Sequence, residues 1–468
     1  MDVTMSRMRI LSHRFWRSAA NAGLVAPALL LGVSQANPLD RTLSNGMKVI
    51  VKEDHRAPVA VCMVWYRAGS IDEVNGKTGV AHVLEHMMFK GTKEVPPGEF
   101  SRQVARAGGR DNAFTSRDHT AYFQQLQKSQ LPLAVKLEAD RMVNLILSDE
   151  DFAKEIKVVM EERRLRTDDQ PQSRLFEQIM ATVYQTHPYR TPIIGWMNDL
   201  ETMTAEDARE WYRRWYTPNN AILIVVGDVN AEDVFTLAQE NFGMIAPRPL
   251  PARKPQTEPA QSGTRRITLK VPAELPRLVM AYHTPSIRDV RQDWEPYALA
   301  VLSGVLDGHD AARLERSLVR DAKVALSAGA SYSGVNRGEA LFFLDGTPSP
   351  GGSVAALEAA LKEEIRKIAD EGVSEQELKR VKAQVVAGQV FQLDSMFNQA
   401  RLIGSLEIAG LPYDSAREQG EKLLTITSDQ VRAVAKKYLL DDNLTVAVLD
   451  PLPMGDRKPA AASPALRH

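Results

Sequence analysis

Two stretches of this chain align without gaps at a constant offset of 223 residues. Thr204-Ala205-Glu206-Asp207-Ala208-Arg209, leading to the apolar run Ile222 to Val226, matches Thr427-Ser428-Asp429-Gln430-Val431-Arg432, leading to Thr445 to Leu449. Each copy reads as a helix capped by its threonine and followed by a strand. A length of 468 residues exceeds one ordinary core, and duplication of a unit of roughly 200 residues accounts for both length and offset.

The stretch between the copies supports this division. Pro247, Pro249, Pro251, Pro255 and Pro259 gather among Arg, Lys and Gln, a composition that sustains neither a helix interior nor a central strand. Residues 247–263 are therefore expected to link a first half, 37–246, to a second, 264–450, with a disordered Pro/Ala/Arg tail at 451–468. In the first half, Met47 to Lys52 and Val59 to Tyr66 read as paired strands, Asn112 to Gln127 as a strand pair, and Ala221 to Val226 as a strand. Helical periodicity covers Gly79 to Phe89, Pro132 to Asn144, Asp149 to Arg166 and Arg174 to Tyr184. The pattern is α+β.

Some functions are excluded early. A net charge of -1 gives no reason to expect a nucleic-acid partner, since phosphate binding needs a concentrated excess of Lys and Arg. Cys62 is the single cysteine, so neither an intrachain disulfide nor a cysteine zinc site can form, and its apolar setting marks it as buried packing. Arg7, Arg9, Arg14 and Arg17 precede the apolar stretch Ala22 to Val33 and then Ser34-Gln35-Ala36, the layout of a secretory signal peptide over 1–36. An organelle presequence or a membrane anchor are the alternatives. No later segment reaches the roughly 20 apolar residues of a membrane span.

Chemistry concentrates in Gly79-Val80-Ala81-His82-Val83-Leu84-Glu85-His86-Met87-Met88-Phe89-Lys90-Gly91. On a helix His82 and His86 project from one face, close enough for both imidazoles to bind one zinc ion, and Glu85 borders that face as a base. A third ligand must come from elsewhere. In Phe152 to Arg164, Glu155 and Glu162 are two helical turns apart and nearly aligned, one to bind metal and one to orient a ligand. Periodicity leaves Glu161 as a competitor and a plain solvated Glu/Arg face as an alternative.

The sequence here resembles the pitrilysin/insulinase family of zinc peptidases with the inverted H-x-x-E-H motif. The resemblance spans about Leu39 to Asp450 and rests on His82-Val83-Leu84-Glu85-His86, on Met88-Phe89-Lys90-Gly91-Thr92, and on Glu155 with Glu162, the latter 76 positions after His86. It implies His82, His86 and Glu162 as ligands of one Zn2+ per chain, Glu85 as catalytic base and Glu155 in support. It also implies a fold of two duplicated domains, each a mostly antiparallel sheet with helices packed on one face, together half of a clam-shell.

A third match, Asn112-Ala113-Phe114-Thr115-Ser116-Arg117-Asp118-His119-Thr120-Ala121-Tyr122-Phe123, implies an edge strand to which peptide substrate adds, with Asn112, Ala113 and Phe114 in contact. His119 reads as a surface strand residue. The second half resembles the family's non-catalytic half: Ala298 to Gly308 holds no His or Glu, and His309 stands alone. Arg320 falls at the family's substrate-gripping Arg, but Ser327 occupies the position of its Tyr partner. An incomplete oxyanion donor implies a second chain of similar fold, in a homodimer or a heterodimer. The expected activity is zinc-dependent endopeptidase action on extended peptides or unfolded segments, in the periplasm of a Gram-negative source. The alternatives are a metal-bearing subunit of a processing complex with little activity of its own, and a zinc hydrolase of another substrate.

Overall fold

The computed structural model describes residues 37–454. The segment read as a signal peptide, 1–36, and the tail from residue 455 onward lie outside the described residues.

The first half carries strands β1 (Leu39–Thr42), β2 (Lys48–Glu53), β3 (Val59–Tyr66), β4 (Arg110–Thr115), β5 (Thr120–Gln127) and β6 (Ala221–Gly227). They form one sheet in the order β1-β2-β6-β3-β5-β4. The second half carries β7 (Arg265–Pro272), β8 (Arg277–Thr284), β9 (Ala325–Tyr332), β10 (Ala340–Pro348) and β11 (Leu444–Leu452), in the order β7-β11-β8-β10-β9. Without β1 the two orders are the same. In each half the last strand enters parallel to the first and antiparallel to the second. The helix before it, Ala205–Trp215 or Ser428–Tyr438, begins with a reciprocal capping box: Thr204 with Asp207, and Thr427 with Gln430. The duplication is thus present in topology as well as in sequence.

One local expectation is corrected. β2 and β3 do not pair, because β6 lies between them and bonds to both. Strands adjacent in sequence are spatial neighbours only about two-thirds of the time, and β6, buried at all seven positions, needs a central slot. Strand β11 also continues through Pro451 and Leu452, into the stretch expected to be tail, because its ladder with β7 extends to Leu452 opposite Pro272.

Strands β3, β6, β8 and β10 read as continuous apolar runs because both faces of each sheet are covered. Helices of the same half cover one face. The other face takes a helix from the opposite half. Pro171–Val183 of the first half lays Leu175, Ile179 and Val183 against Leu269, Val279, Ala281 and Leu449. Met396–Ile408 of the second lays Ala400, Ile403 and Ile408 against Met63, Trp65, Ile222 and Ile224. A Cβ at Gly404 would stand 2.3 Å from the Trp65 indole, so the close approach requires glycine. Each large apolar side chain buried this way is worth roughly 1.5–3 kcal/mol, so each half contributes to the core of the other.

The stretch 247–263 has no helix or strand, yet it is not a free tether. Glu258 accepts the backbone N–H groups of Gln185, Thr186 and His187 at 2.6, 2.9 and 2.9 Å. His187 is buried at this interface, its Nδ1 accepting the Tyr189 N–H at 3.2 Å. Burial lowers its pKa to about 4. A depressed histidine favours the fold while neutral, so its contribution is complete above pH 6.5 and is lost as pH falls toward 4. The melting temperature is expected to drop across that window, and His187→Gln to flatten the slope, as followed by calorimetry against pH.

Candidate metal centre

The helix Val80–Met87 lies between β3 and β4 and is buried on nearly every side. Val80, Ala81, Val83, Leu84 and Met87 enter the core, and the helix packs on Asp149–Arg163 and Ala205–Trp215. Its start is set by Gly79 at φ 88°, where an added Cβ would meet the Ile194 carbonyl at 2.5 Å. With the helix seated in this way, His82 and His86 lie side by side, ring centroids 4.7 Å apart.

The facing helix, Asp149–Arg163, starts at Ser148, whose Oγ accepts the Asp151 N–H at 3.0 Å, and its acidic first turn suits the positive end of the helix. Phe152, Ile156 and Val159 seat it in the core, and Glu155 and Glu162 lie on the same buried side. Glu161 turns outward, 56% exposed and 3.1 Å from Arg164. Packing thus separates two carboxylates that periodicity left open.

Glu162 Oε2 stands 3.7 Å from His82 Nε2 and 3.3 Å from His86 Nε2. One ligand atom from each of the three residues lies within 4.8 Å of the others. Ligand atoms at 2.0–2.2 Å from a tetrahedral zinc are themselves about 3.3–3.6 Å apart, so the donor set and spacing fit zinc. The buried Glu162 Oε2, faced by a ring nitrogen of each histidine, fits the same group.

The surroundings favour positive charge at this point. Burial pulls the His86 imidazole down, but contacts with Glu155 and Glu162 outweigh it and hold the pKa at about 9. Burial pushes the Glu162 carboxyl up, and the nearby His86, His82 and Arg166 outweigh it to give about 2. Glu155 faces His86 Nδ1 at 3.0 Å with one oxygen and Lys90 Nζ at 2.5 Å with the other, which directs His86 Nε2 toward Glu162. Arg166, in the π-helical turn Arg164–Asp168, reaches Glu162 Oε1 at 2.6 Å.

Glu85 is buried beside the histidines, and Thr115 Oγ1 on β4 donates to its Oε2. Burial raises its pKa to about 7 against the pull of that hydrogen bond, the range suited to a general base at neutral pH. Among the described residues, strand β4 is the edge of its sheet and pairs with β5 alone. Ala113 faces the core beneath the helix Val80–Met87, whereas Phe114 packs edge-on against Trp65 on the opposite face at 5.4 Å. Asn112 is exposed. His119 is not a surface strand residue: it sits in the β4–β5 turn, packed on Trp65 at 4.4 Å, because the turn folds it inward.

The structure therefore brings together His82, Glu85, His86, Glu155 and Glu162 beside the edge strand that carries Asn112, Ala113 and Phe114. Arg320 is apart from them, half exposed in the segment Glu315–Asp321 and 3.5 Å from Glu315. Ser327, on β9, lies 3.3 Å from Arg277. Thr115, Lys90 and Arg166 were not singled out by sequence. Lys90 lies three residues past the histidine helix and Thr115 lies inside the Asn112 stretch, but only tertiary contact gives either a role.

Residues 48–196 match the family model described as Insulinase (Peptidase family M16), and residues 202–385 match Peptidase M16 inactive domain. The zinc protease PqqE of Helicobacter pylori is 33% identical over 417 residues, covering 88% of this chain and 92% of that protein. A crystal structure of a protease from Helicobacter pylori superposes with a TM-score of 0.84 at 30% identity, covering 88% of this chain and 99% of the other. The periplasmic protease PqqL from Escherichia coli shares the fold at 19% identity and a TM-score of 0.75, over 93% of this chain but 52% of its own.

Proposed function

The chain belongs to the insulinase family of peptidases, M16, and from that premise we propose that it is a zinc-dependent endopeptidase cleaving extended peptides or unfolded polypeptide segments. The observation that carries this reading is the convergence of His82, His86 and Glu162 beside Glu85 at the open edge of a sheet.

His82, His86 and Glu162 would hold the metal. Zinc bound there supplies Lewis acidity that polarises a carbonyl and lowers the pKa of water from 15.7 to about 7. The chain's own groups do the rest. The unpaired edge of β4 offers backbone N–H and C=O groups to an extended peptide, as an added strand would use them. Asn112, Ala113 and Phe114 flank that strand. With Oε2 held by Thr115, Glu85 takes the proton of the attacking water at Oε1 and returns it to the leaving amine. Glu155 keeps His86 in register through Nδ1. A quenched unstructured peptide is expected to be cleaved by the purified chain, with cleavage abolished by a chelator and restored by zinc. Cleavage that persists after complete metal removal overturns the reading.

A second reading draws on Arg320 and Ser327, which form no donor pair at the cluster. In it the chain is the metal-bearing member of a pair, and a homologous chain, identical or not, completes the chamber. The chain matches about half of the Escherichia coli periplasmic protease, consistent with one side of a clam-shell. Adding a candidate partner in the same assay separates the two. Periplasmic residence accords with the segment read as a signal peptide, and among the described residues no helix is long and apolar enough to cross a membrane.

A further inference from the structure

Among the described residues the second half contributes nothing to the His–Glu cluster directly, yet one of its arginines is half-buried against the turn that leads into the helix Val80–Met87. Arg337 lies between β9 and β10. Its guanidinium grips Asp72 of the first half with both ends, at 2.8 and 3.1 Å, and its side chain is 17% exposed against 4% for Asp72. Its backbone N–H and Nη1 also reach Asp118, in the β4–β5 turn, at 3.1 Å each. Arg253 of the linker adds a bond to Asp72 at 2.7 Å.

The residue after Asp72 does unusual work. The helix Val80–Met87 begins at Gly79, which has no side chain to cap it. Glu73 substitutes from six residues upstream: Oε2 accepts the Gly79 N–H at 2.8 Å and Oε1 the Ala81 N–H at 2.9 Å. Two backbone donors that every helix start leaves unpaired are satisfied by one carboxyl group, whose pKa burial raises to about 8 against the pull of these two bonds.

We infer that Arg337, from the half that shows no metal-binding cluster among the described residues, is a positioning residue for the histidine helix, acting through Asp72 and the detached cap Glu73. Arg337 fixes the turn Ser70–Asp72, the turn fixes Glu73, and Glu73 fixes where the helix bearing His82, Glu85 and His86 begins. The same arginine holds the β4–β5 turn, just past the Thr115 that bonds Glu85. A small shift at this helix displaces two ligand atoms and the base together. This places the second half in the reaction as the support of the first, and it rests on the peptidase reading above.

The test uses the full chain and the variants Arg337→Met, Arg337→Lys and Glu73→Gln. In metal-free protein, amide exchange over Val80–Met87 is expected to quicken about tenfold in Arg337→Met and Glu73→Gln, with Ser428–Tyr438 unchanged. Zinc affinity, read by competition with a chromogenic chelator, is expected to weaken about tenfold, and kcat to fall with KM unaltered. Arg337→Lys, which keeps a cation beside Asp72, is expected to recover part of each. Exchange in Val80–Met87 that matches wild type in Arg337→Met, or that quickens equally in both halves, overturns the inference. A wild-type chain that neither binds zinc nor cleaves peptide defeats the proposed function instead, and the exchange measurement still decides the relay.

Discussion

Glu85→Gln is expected to lower kcat by about 10²–10⁴-fold while leaving zinc content unchanged. The two halves of that expectation have separate causes. Glu85 is outside the set of three converging ligand atoms, so its loss does not open the metal site. Glutamine keeps the volume, and its carbonyl still accepts the Thr115 hydroxyl, so the helix and β4 stay in place. What disappears is the capacity to take a proton, which an amide lacks at any working pH. Zinc by atomic emission and kcat on a quenched peptide report the two separately. Activity surviving at wild-type level would assign the proton to another group, and loss of zinc would make Glu85 part of the metal's own support.

Glu162→Ala is expected to weaken zinc binding more than the roughly 10–100-fold typical of losing a supporting residue. It removes one of the three proposed ligand atoms and leaves His82 and His86 without the carboxylate that faces both. The informative contrast is its neighbour. Glu161→Ala, at a side chain turned to solvent and paired only with Arg164, is expected to leave zinc affinity unchanged. Glu155→Gln is expected to fall between, because it loosens His86 through Nδ1 without removing a ligand. Competition titration against a chelator of known affinity ranks the three. Equal effects from Glu161→Ala and Glu162→Ala would contradict the rotation of helix Asp149–Arg163 described above.

Much of this was legible in the chain itself, for identifiable reasons. His82 and His86 share a face because four residues nearly complete one helical turn, whatever surrounds the helix. The capping boxes at Thr204 and Thr427 are equally local, each closed within four residues. The 223-residue offset carried the duplication because a repeated fold keeps its element order. The continuous apolar runs of β3 and β6 announced burial, but not what buries them.

Sequence by itself thus determined what depends on neighbours along the chain: the histidine pair, the glutamate beside it, the two copies and the proline-rich break between them. The tertiary structure alone decided what depends on the phase of one element against another. Rotation of Asp149–Arg163 in its groove turns Glu162 inward and Glu161 outward, a difference of one residue that periodicity cannot rank and that the sequence carried only through family resemblance. The slot of β6 between β2 and β3, the helix each half lends to the other's sheet, and the reach of Thr115 to Glu85 are all contacts between distant segments. The physical reason is the same throughout. Helical geometry is set by bonds a few residues apart, whereas the position of one helix or strand beside another is set by packing that the whole core must satisfy at once.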